Sequence, residues 1–146
     1  EVLSPLCGAL ENCALPVSII EQLLSLIQGT EQADTDKQQM LLRALASSTD
    51  HPFVDSFLAL LLEQQSLSDS QLITISGRCW SALNSSIRAM QFLEHLVQQE
   101  PVLFPAIFKD LVAIPSIRPL LFQCMRAPER SEALAKAIGQ LFSSQI

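Results

Sequence analysis

Hydrophobic positions along this chain recur at helical spacing, in segments that prolines and polar clusters separate. The segment from Phe53 to Leu62 reads FVDSFLALLL and is apolar at eight of its ten positions. A helix that is apolar almost all round must be covered on most of its sides. This segment therefore predicts a central helix that other helices surround.

Capping side chains, or prolines with their fixed φ, mark the starts of the predicted helices. In chain order these starts are Ser4, Pro16, Asp34 or Thr35, Asp50, Ser68, Asn84 to Ser86, Pro101, Pro119, and Pro128 with Glu129. Tight loops between short helices make neighbours antiparallel. The pattern predicts an all-α fold of eight to nine short antiparallel helices, each about 8 to 16 residues long.

Consecutive predicted helices form pairs of about 30 to 36 residues, a common size for helical-hairpin repeats. From both Pro16 and Pro101, apolar residues recur at the third, seventh, tenth and eleventh following positions. In this pattern the chain resembles a degenerate HEAT- or armadillo-like α-solenoid, from Pro16 to Phe142. The resemblance implies a scaffold built from stacked hairpins. A compact helical bundle would give the same pattern, so both architectures stay open.

Composition adds a surplus of apolar residues to this picture. The 146 residues are 49% hydrophobic and 16% charged, against a typical charged share of about 25%. The surplus implies a thick core, an apolar surface patch for a partner, or both. The length fits one domain over residues 1–146, which we interpret as a fragment or subunit domain of a larger protein.

Charge is divided unevenly between the two halves. Residues 1–69 hold ten acids and two bases, whereas residues 70–146 hold five acids and seven bases. The isoelectric point is about 4.7, and a nucleic-acid-binding domain normally carries a dense basic stripe. We therefore expect no direct nucleic-acid binding. No apolar run approaches the roughly 20 residues that span a bilayer, so we expect no membrane insertion.

Candidate chemistry is sparse, so we expect a protein that is not an enzyme and that uses no cofactor or metal. Each of the four cysteines, Cys7, Cys13, Cys79 and Cys124, lies among apolar neighbours in a predicted helix. We interpret them as buried free thiols, which favours a reducing cytoplasmic or nuclear location. We expect His51 to support a helix entry, and His95 to face water. Trp80 is expected to fill the core.

The candidate partner site lies in the second half of the chain, where aromatic and basic residues are dense. Its predicted members are Phe104, Phe108, Phe122, Arg118, Arg126 and Arg130. An apolar groove between helices is a usual place for a partner's amphipathic helix, and arginines suit acidic contacts. We therefore predict a protein–protein interaction scaffold within a larger complex, in which the partner is another protein or a second copy of the chain. The alternative is a helical bundle that holds a small apolar ligand or lipid in an internal pocket.

Overall fold

A computed structural model of the protein describes residues 3–10, 13–28 and 35–144. All regular structure within these ranges is helical, which confirms the all-α prediction. The described helices are α1 Leu3–Leu10, α2 Val17–Gln28, α3 Thr35–Leu45, α4 Pro52–Leu62, α5 Asp69–Arg78, α6 Ser86–Leu96, α7 Leu103–Val112, α8 Arg118–Arg126 and α9 Glu132–Ser143. Short 3₁₀ turns follow α3 and α5. Among these helices none has the length and apolar character that crossing a bilayer requires.

Side-chain caps explain where several helices begin. Ser68 accepts from the backbone N–H of Gln71, and the Gln71 side chain accepts from the Ser68 backbone N–H, which forms a complete capping box before α5. Asp50 was expected to cap α4, but its N-cap is His51, whose Nδ1 accepts from the N–H of Phe53 at 3.2 Å. The expected role of His51 in helix entry is thereby confirmed.

The starts of α9 and α3 also bear on the predicted boundaries. The last helix begins at Glu132, three residues later than the predicted Glu129, because the Ser131 hydroxyl accepts from the Leu134 N–H and caps it. Asp34 lies outside the described residues, while Thr35 is the first residue of α3.

The helices stack in two layers. In one layer α1, α3, α5 and α7 contact each other in sequence, and in the other α2, α4, α6 and α8 do the same. Contacts between α2 and α3, α5 and α6, and α7 and α8 join the layers. Each helix from α1 to α6 therefore meets the next-but-one helix, an arrangement typical of stacked helical hairpins. Membership of the HEAT or armadillo families stays a prediction.

Polar side chains tie each hairpin to the next at nearly constant sequence separation. Gln99 Nε2 donates to the Leu67 carbonyl across 32 positions, and Cys124 Sγ donates to the Ser86 carbonyl across 38. Further ties of 33 to 37 positions join successive hairpins elsewhere in the stack. The recurring separation matches the predicted hairpin length and gives the stack a fixed register.

The Phe53–Leu62 segment forms α4, but α4 is not a surrounded central helix. Val54, Leu58 and Leu61 are buried, whereas Phe53 and Leu60 are 52% and 63% exposed. The expectation was wrong because α4 is one member of a layer, packed between α2 and α6. Its outer side is left open to solvent.

The core runs between the two layers along the described length of the stack. The largest of its fully buried side chains are Phe92, Ile20, Leu41, Leu42, Leu45, Leu58, Leu61, Leu72, Ile75, Leu83, Leu93 and Leu96. Trp80 was expected among them but is 36% exposed. Helix α5 ends at Arg78 and the chain turns into a 3₁₀ segment, which rotates Trp80 off the apolar face that its helical spacing predicted.

An ion pair between α4 and α6 should make stability depend on pH. Arg88 Nη1 and Nη2 donate to the Asp55 carboxylate at 2.6 and 3.0 Å. These hydrogen bonds hold the pKa of Asp55 below its ordinary value, against a smaller opposing effect of burial. A lowered folded-state pKa stabilises the fold above the unfolded pKa of about 3.9, and the contribution disappears as pH falls through the folded value.

We therefore expect Asp55→Asn to lower the free energy of unfolding at pH 7 by about 1 kcal/mol, near the upper end for partly exposed pairs. The difference from the parent protein should shrink below about pH 4, where the parent loses the same contribution. Urea unfolding at both pH values measures it. Asp110→Asn, at an exposed position of α7, serves as control; an equal loss there would contradict the assignment to the pair.

Candidate functional site

An apolar groove lies between α7 and α9, with a volume of about 480 Å³. Its apolar lining comes from the end of α6, the start of α7 and one side of α9: Leu96, Val97, Pro101, Phe104, Pro105, Ala133, Ala137 and Leu141. Leu96 and Phe104 are almost fully buried and form its floor. We call this feature the α7–α9 groove.

Polar residues complete its border. Glu100 and Lys136 are exposed charged residues that line the groove from the loop before α7 and from α9. Gln99, Gln140 and Ser144 also line it. An apolar floor with opposite charges on the surrounding residues is suited to an amphipathic segment, whose apolar side chains enter while its polar groups stay at the edge.

Helix α9 is anchored at its first turn, which fixes the groove's second wall. Glu94 of α6 accepts from both the N–H and the hydroxyl of Ser131, at 2.8 and 2.6 Å. Leu134 and Ile138 are buried in the core, while Ala133 and Ala137 line the groove. Since an alanine side chain is only a methyl group, these two positions leave space beside Phe104.

Of the six predicted partner-site residues, only Phe104 lines the α7–α9 groove. Phe104 and Phe108 stack with ring centroids 5.6 Å apart and are 3% and 7% exposed. Both are therefore core residues with little surface of their own. Phe104 differs in that it lines the floor of the groove, whereas Phe108 lies one helical turn further along the same buried face of α7 and does not line it.

Phe122 and Arg126 lie elsewhere, on α8. Phe122 is 42% exposed and Arg126 is exposed, but neither lines the α7–α9 groove. The predicted grouping of Phe104 with these two residues is therefore not a single site. Their exposure leaves them available for a different contact.

The two remaining arginines bind backbone carbonyls. Arg118 Nε donates to the carbonyl of Val112, the last residue of α7, at 2.8 Å. Arg130 Nη1 donates to the carbonyl of Ala127, just after α8, at 2.8 Å. Both satisfy carbonyls that a helix end leaves without an intrahelical partner. The structure therefore gives them a local structural role and does not join them into an arginine cluster at the groove.

Two sequence expectations about reactive side chains are corrected. Cys13 is exposed in a bend after α1, whereas Cys7, Cys79 and Cys124 are buried as expected. His95 is buried, and its Nε2 donates to the Leu62 carbonyl at 2.9 Å. It was expected to face water because its helical neighbours are polar, but its ring lies against the C-terminal end of α4, which Leu62 forms.

Burial also controls the thiol chemistry. It raises the pKa of Cys79 to about 12 and that of Cys124 to about 11. Both thiols therefore stay protonated at neutral pH, which makes them poor nucleophiles and poor metal ligands. Among the described residues no group of three or more His, Cys, Asp and Glu side chains is placed to hold a metal ion.

Sequence reasoning missed most of the groove, including Glu100, Ala133, Lys136 and Ala137. One available signal was the pair of alanines four residues apart in the last helix, since such residues share one face and leave room there. Whether that room faced α7 depends on packing, which the periodicity of a single helix does not contain.

Comparison with known proteins finds one family. A family model described as "Protein of unknown function (DUF3549)" matches residues 1–142. Neither the curated proteins nor the solved structures contain a match to the chain.

Proposed function

Because the chain belongs to the DUF3549 family, whose description assigns no function, we propose a function from its geometry alone: a non-catalytic protein–protein interaction domain. The partner contributes an amphipathic helix or peptide that inserts apolar side chains into the α7–α9 groove. The observation that carries the proposal is the groove itself, about 480 Å³ with an apolar floor and charged border residues.

The shape of the groove supports a peptide partner. A volume near 480 Å³ is larger than one leucine side chain, so the groove has room for more than one apolar side chain of a bound segment. Phe104 and Leu96 beneath it are already packed in the core, so the floor is preorganised. A preorganised surface reduces the ordering cost that binding must overcome.

The charged border residues favour one orientation of the bound segment. Glu100 and Lys136 carry opposite charges on the two walls, so a bound segment with one basic and one acidic flank is favoured in one orientation. Charge pairs at an exposed rim set specificity and association rate more than affinity. The domain would act as a subunit of a larger intracellular complex, because free thiols such as Cys7, Cys79 and Cys124 are typical of proteins in reducing compartments.

The alternative, an internal pocket for a small apolar ligand, receives less support. Exposed Ala133, Lys136 and Gln140 line the groove, so it opens to solvent along α9. A ligand pocket usually encloses most of its ligand's surface. A lipid bound here would therefore stay in contact with water along the α9 side of the groove.

Site-specific photo-crosslinking in the organism that encodes the protein tests the proposal. A photoreactive phenylalanine analogue at Ala133, which lines the groove and is exposed, should yield a discrete adduct with a protein partner. Ala106, exposed on α7 outside the groove, provides the matched control position and should yield none.

A second substitution tests whether the charged border of the groove contributes to formation of the adduct. Lys136→Glu should reduce the Ala133 adduct several-fold without changing the melting temperature, because a rim charge is solvent-exposed and carries little stability. No protein adduct at Ala133, or an equally strong adduct at Ala106, would contradict the proposed groove.

A further inference from the structure

We propose that the outward side of α6, with its neighbours α4 and α8, binds an extended peptide segment that carries basic residues. Two depressions of about 370 and 350 Å³ lie there, one between the end of α4 and α6 and one between α6 and α8. Met90 and Gln91 of α6 line both of them, so the two adjoin across this helix. We call the pair the α6 channel. Among the described residues, none lines both the α6 channel and the α7–α9 groove.

The spacing of residues along α6 explains why the channel lies on its outward side. Ile87, Gln91 and Glu94 are three or four positions apart, so they share one face of the helix. Phe92 and Leu93 lie on the opposite face and are completely buried in the core. Ile87 is 71% exposed, which leaves a large apolar side chain available at one end of the channel.

The charged residues of the α6 channel favour a basic ligand. Glu63, Glu94 and Glu129 line it, whereas no lysine or arginine does so in the part of the chain that the structure describes. Glu63 and Glu94 both border the depression between α4 and α6, and the hydrogen bonds from Ser131 leave the charge of Glu94 in place. A cationic side chain of a ligand is therefore attracted to that depression.

A buried acceptor in the same depression also lacks a donor. His95 lines it, and because Nε2 donates to the Leu62 carbonyl, Nδ1 of the neutral ring carries a lone pair. Within the described ranges this Nδ1 has no hydrogen-bond partner. Buried acceptors normally have one, so an N–H donor of a ligand, directly or through a water that it holds, would complete the site.

Side-chain amides in the α6 channel favour an extended ligand over a helical one. Five glutamines line the channel: Gln64, Gln65, Gln91, Gln98 and Gln123. Each amide offers two donor hydrogens and one acceptor oxygen, which suit the unpaired N–H and C=O groups of an extended backbone. A helix already pairs most of these groups internally, so a helical ligand would gain little from the amides.

The two depressions differ in character, which predicts the spacing of residues in the ligand. The one between α6 and α8 has apolar lining from Ile87, Met90 and Ala127, so it suits an apolar side chain. Packed helices lie about 8–10 Å apart, so depressions on either side of α6 are separated by about that distance. In a polyproline II segment, residues three apart face the same side and are about 9 Å apart. The ligand therefore carries a lysine or arginine and a large apolar residue three positions apart.

Fluorescence anisotropy with the full chain tests this inference. The probe is a short labelled peptide of serine and proline that carries one lysine and one leucine three positions apart. It should bind saturably, and a peptide of the same composition with lysine and leucine adjacent should bind several-fold more weakly, because it cannot reach both depressions. Absence of saturable binding, or equal affinity of the two peptides, would overturn the inference.

Two substitutions locate the bound peptide. Glu63→Lys and Ile87→Ser should each weaken binding several-fold and leave the melting temperature unchanged, because both side chains are exposed. Glu100→Lys makes the same charge change at an exposed residue of the α7–α9 groove. Ile73→Ser makes the same apolar-to-polar change at a 52% exposed position of α5. Both controls should bind the peptide as the parent does.

Two further outcomes would identify a different site or ligand. Binding that is lost in Glu100→Lys but kept in Glu63→Lys would place the peptide in the α7–α9 groove and overturn the inference. Spermidine has ammonium groups and no apolar side chain; displacement of the peptide by spermidine, with no effect of Ile87→Ser, would indicate a site for free polyamines and also overturn it. Neither Glu63→Lys nor Ile87→Ser should change the Ala133 adduct, so this inference and the proposed function can fail separately.

Discussion

Replacement of Phe92 by alanine should lower the free energy of unfolding by about 3 to 5 kcal/mol. Phe92 lies in the middle of α6 and is completely buried. Helix α6 contacts α4, α5, α7 and α8, so the missing ring leaves a cavity where four other helices meet. Surrounding side chains on fixed helices close such a cavity only partly. Urea unfolding at neutral pH, compared with the parent protein, measures the loss.

Phe142→Ala provides the matched control, since it removes the same ring from a side chain that is 57% exposed. At low protein concentration its effect should stay within about 0.5 kcal/mol. Equal losses for the two variants would contradict the described placement of α6 at the centre of the stack.

Replacement of His95 by leucine should cost about 1 to 3 kcal/mol, although leucine adds apolar area to a buried position. The loss arises because the Leu62 carbonyl at the end of α4 would no longer receive the hydrogen bond from Nε2. His95 is 6% exposed, so water cannot readily replace the missing donor. Chemical unfolding of the variant gives the value directly.

The stability of the His95→Leu variant shows whether His95 is buried, as in the structure, or faces water, as the sequence predicted. An exposed His95 would tolerate leucine with a change of no more than about 0.5 kcal/mol. Gln98→Leu, at an exposed position just beyond α6, should show that small change. A matching small effect at His95 would contradict the tie between α4 and α6.

Hydrophobic spacing was sufficient to predict the helices of this fold, and capping residues placed some of their starts. Ser68 illustrates a strong local signal, because its capping box involves only the next three residues. Trp80 and His95 illustrate where such signals fail. A 3₁₀ turn rotated Trp80 outward, and a carbonyl 33 positions earlier in the chain accepted the hydrogen bond from His95.

The candidate site was harder to predict, because a groove is a property of two helices. Phe104 was included in the predicted site because of its spacing and size, and the structure places it in the lining of the groove. Lys136 and Ala133 were missed because neither residue type is informative without its neighbour across the groove. Phe108 shows the opposite error. It was predicted to contact a partner, but its side chain is buried in the core.

Hydrogen exchange on the complex recovered through the Ala133 adduct tests the proposed function most directly. With the partner bound, backbone amides of residues 97–105 and 133–144, which flank the α7–α9 groove, should exchange more slowly than in the free chain. Amides of α2 and α4, on the other layer, should keep their free-chain rates. Protection confined to α2 and α4, with the groove segments unchanged, would contradict the proposal that this groove receives the partner.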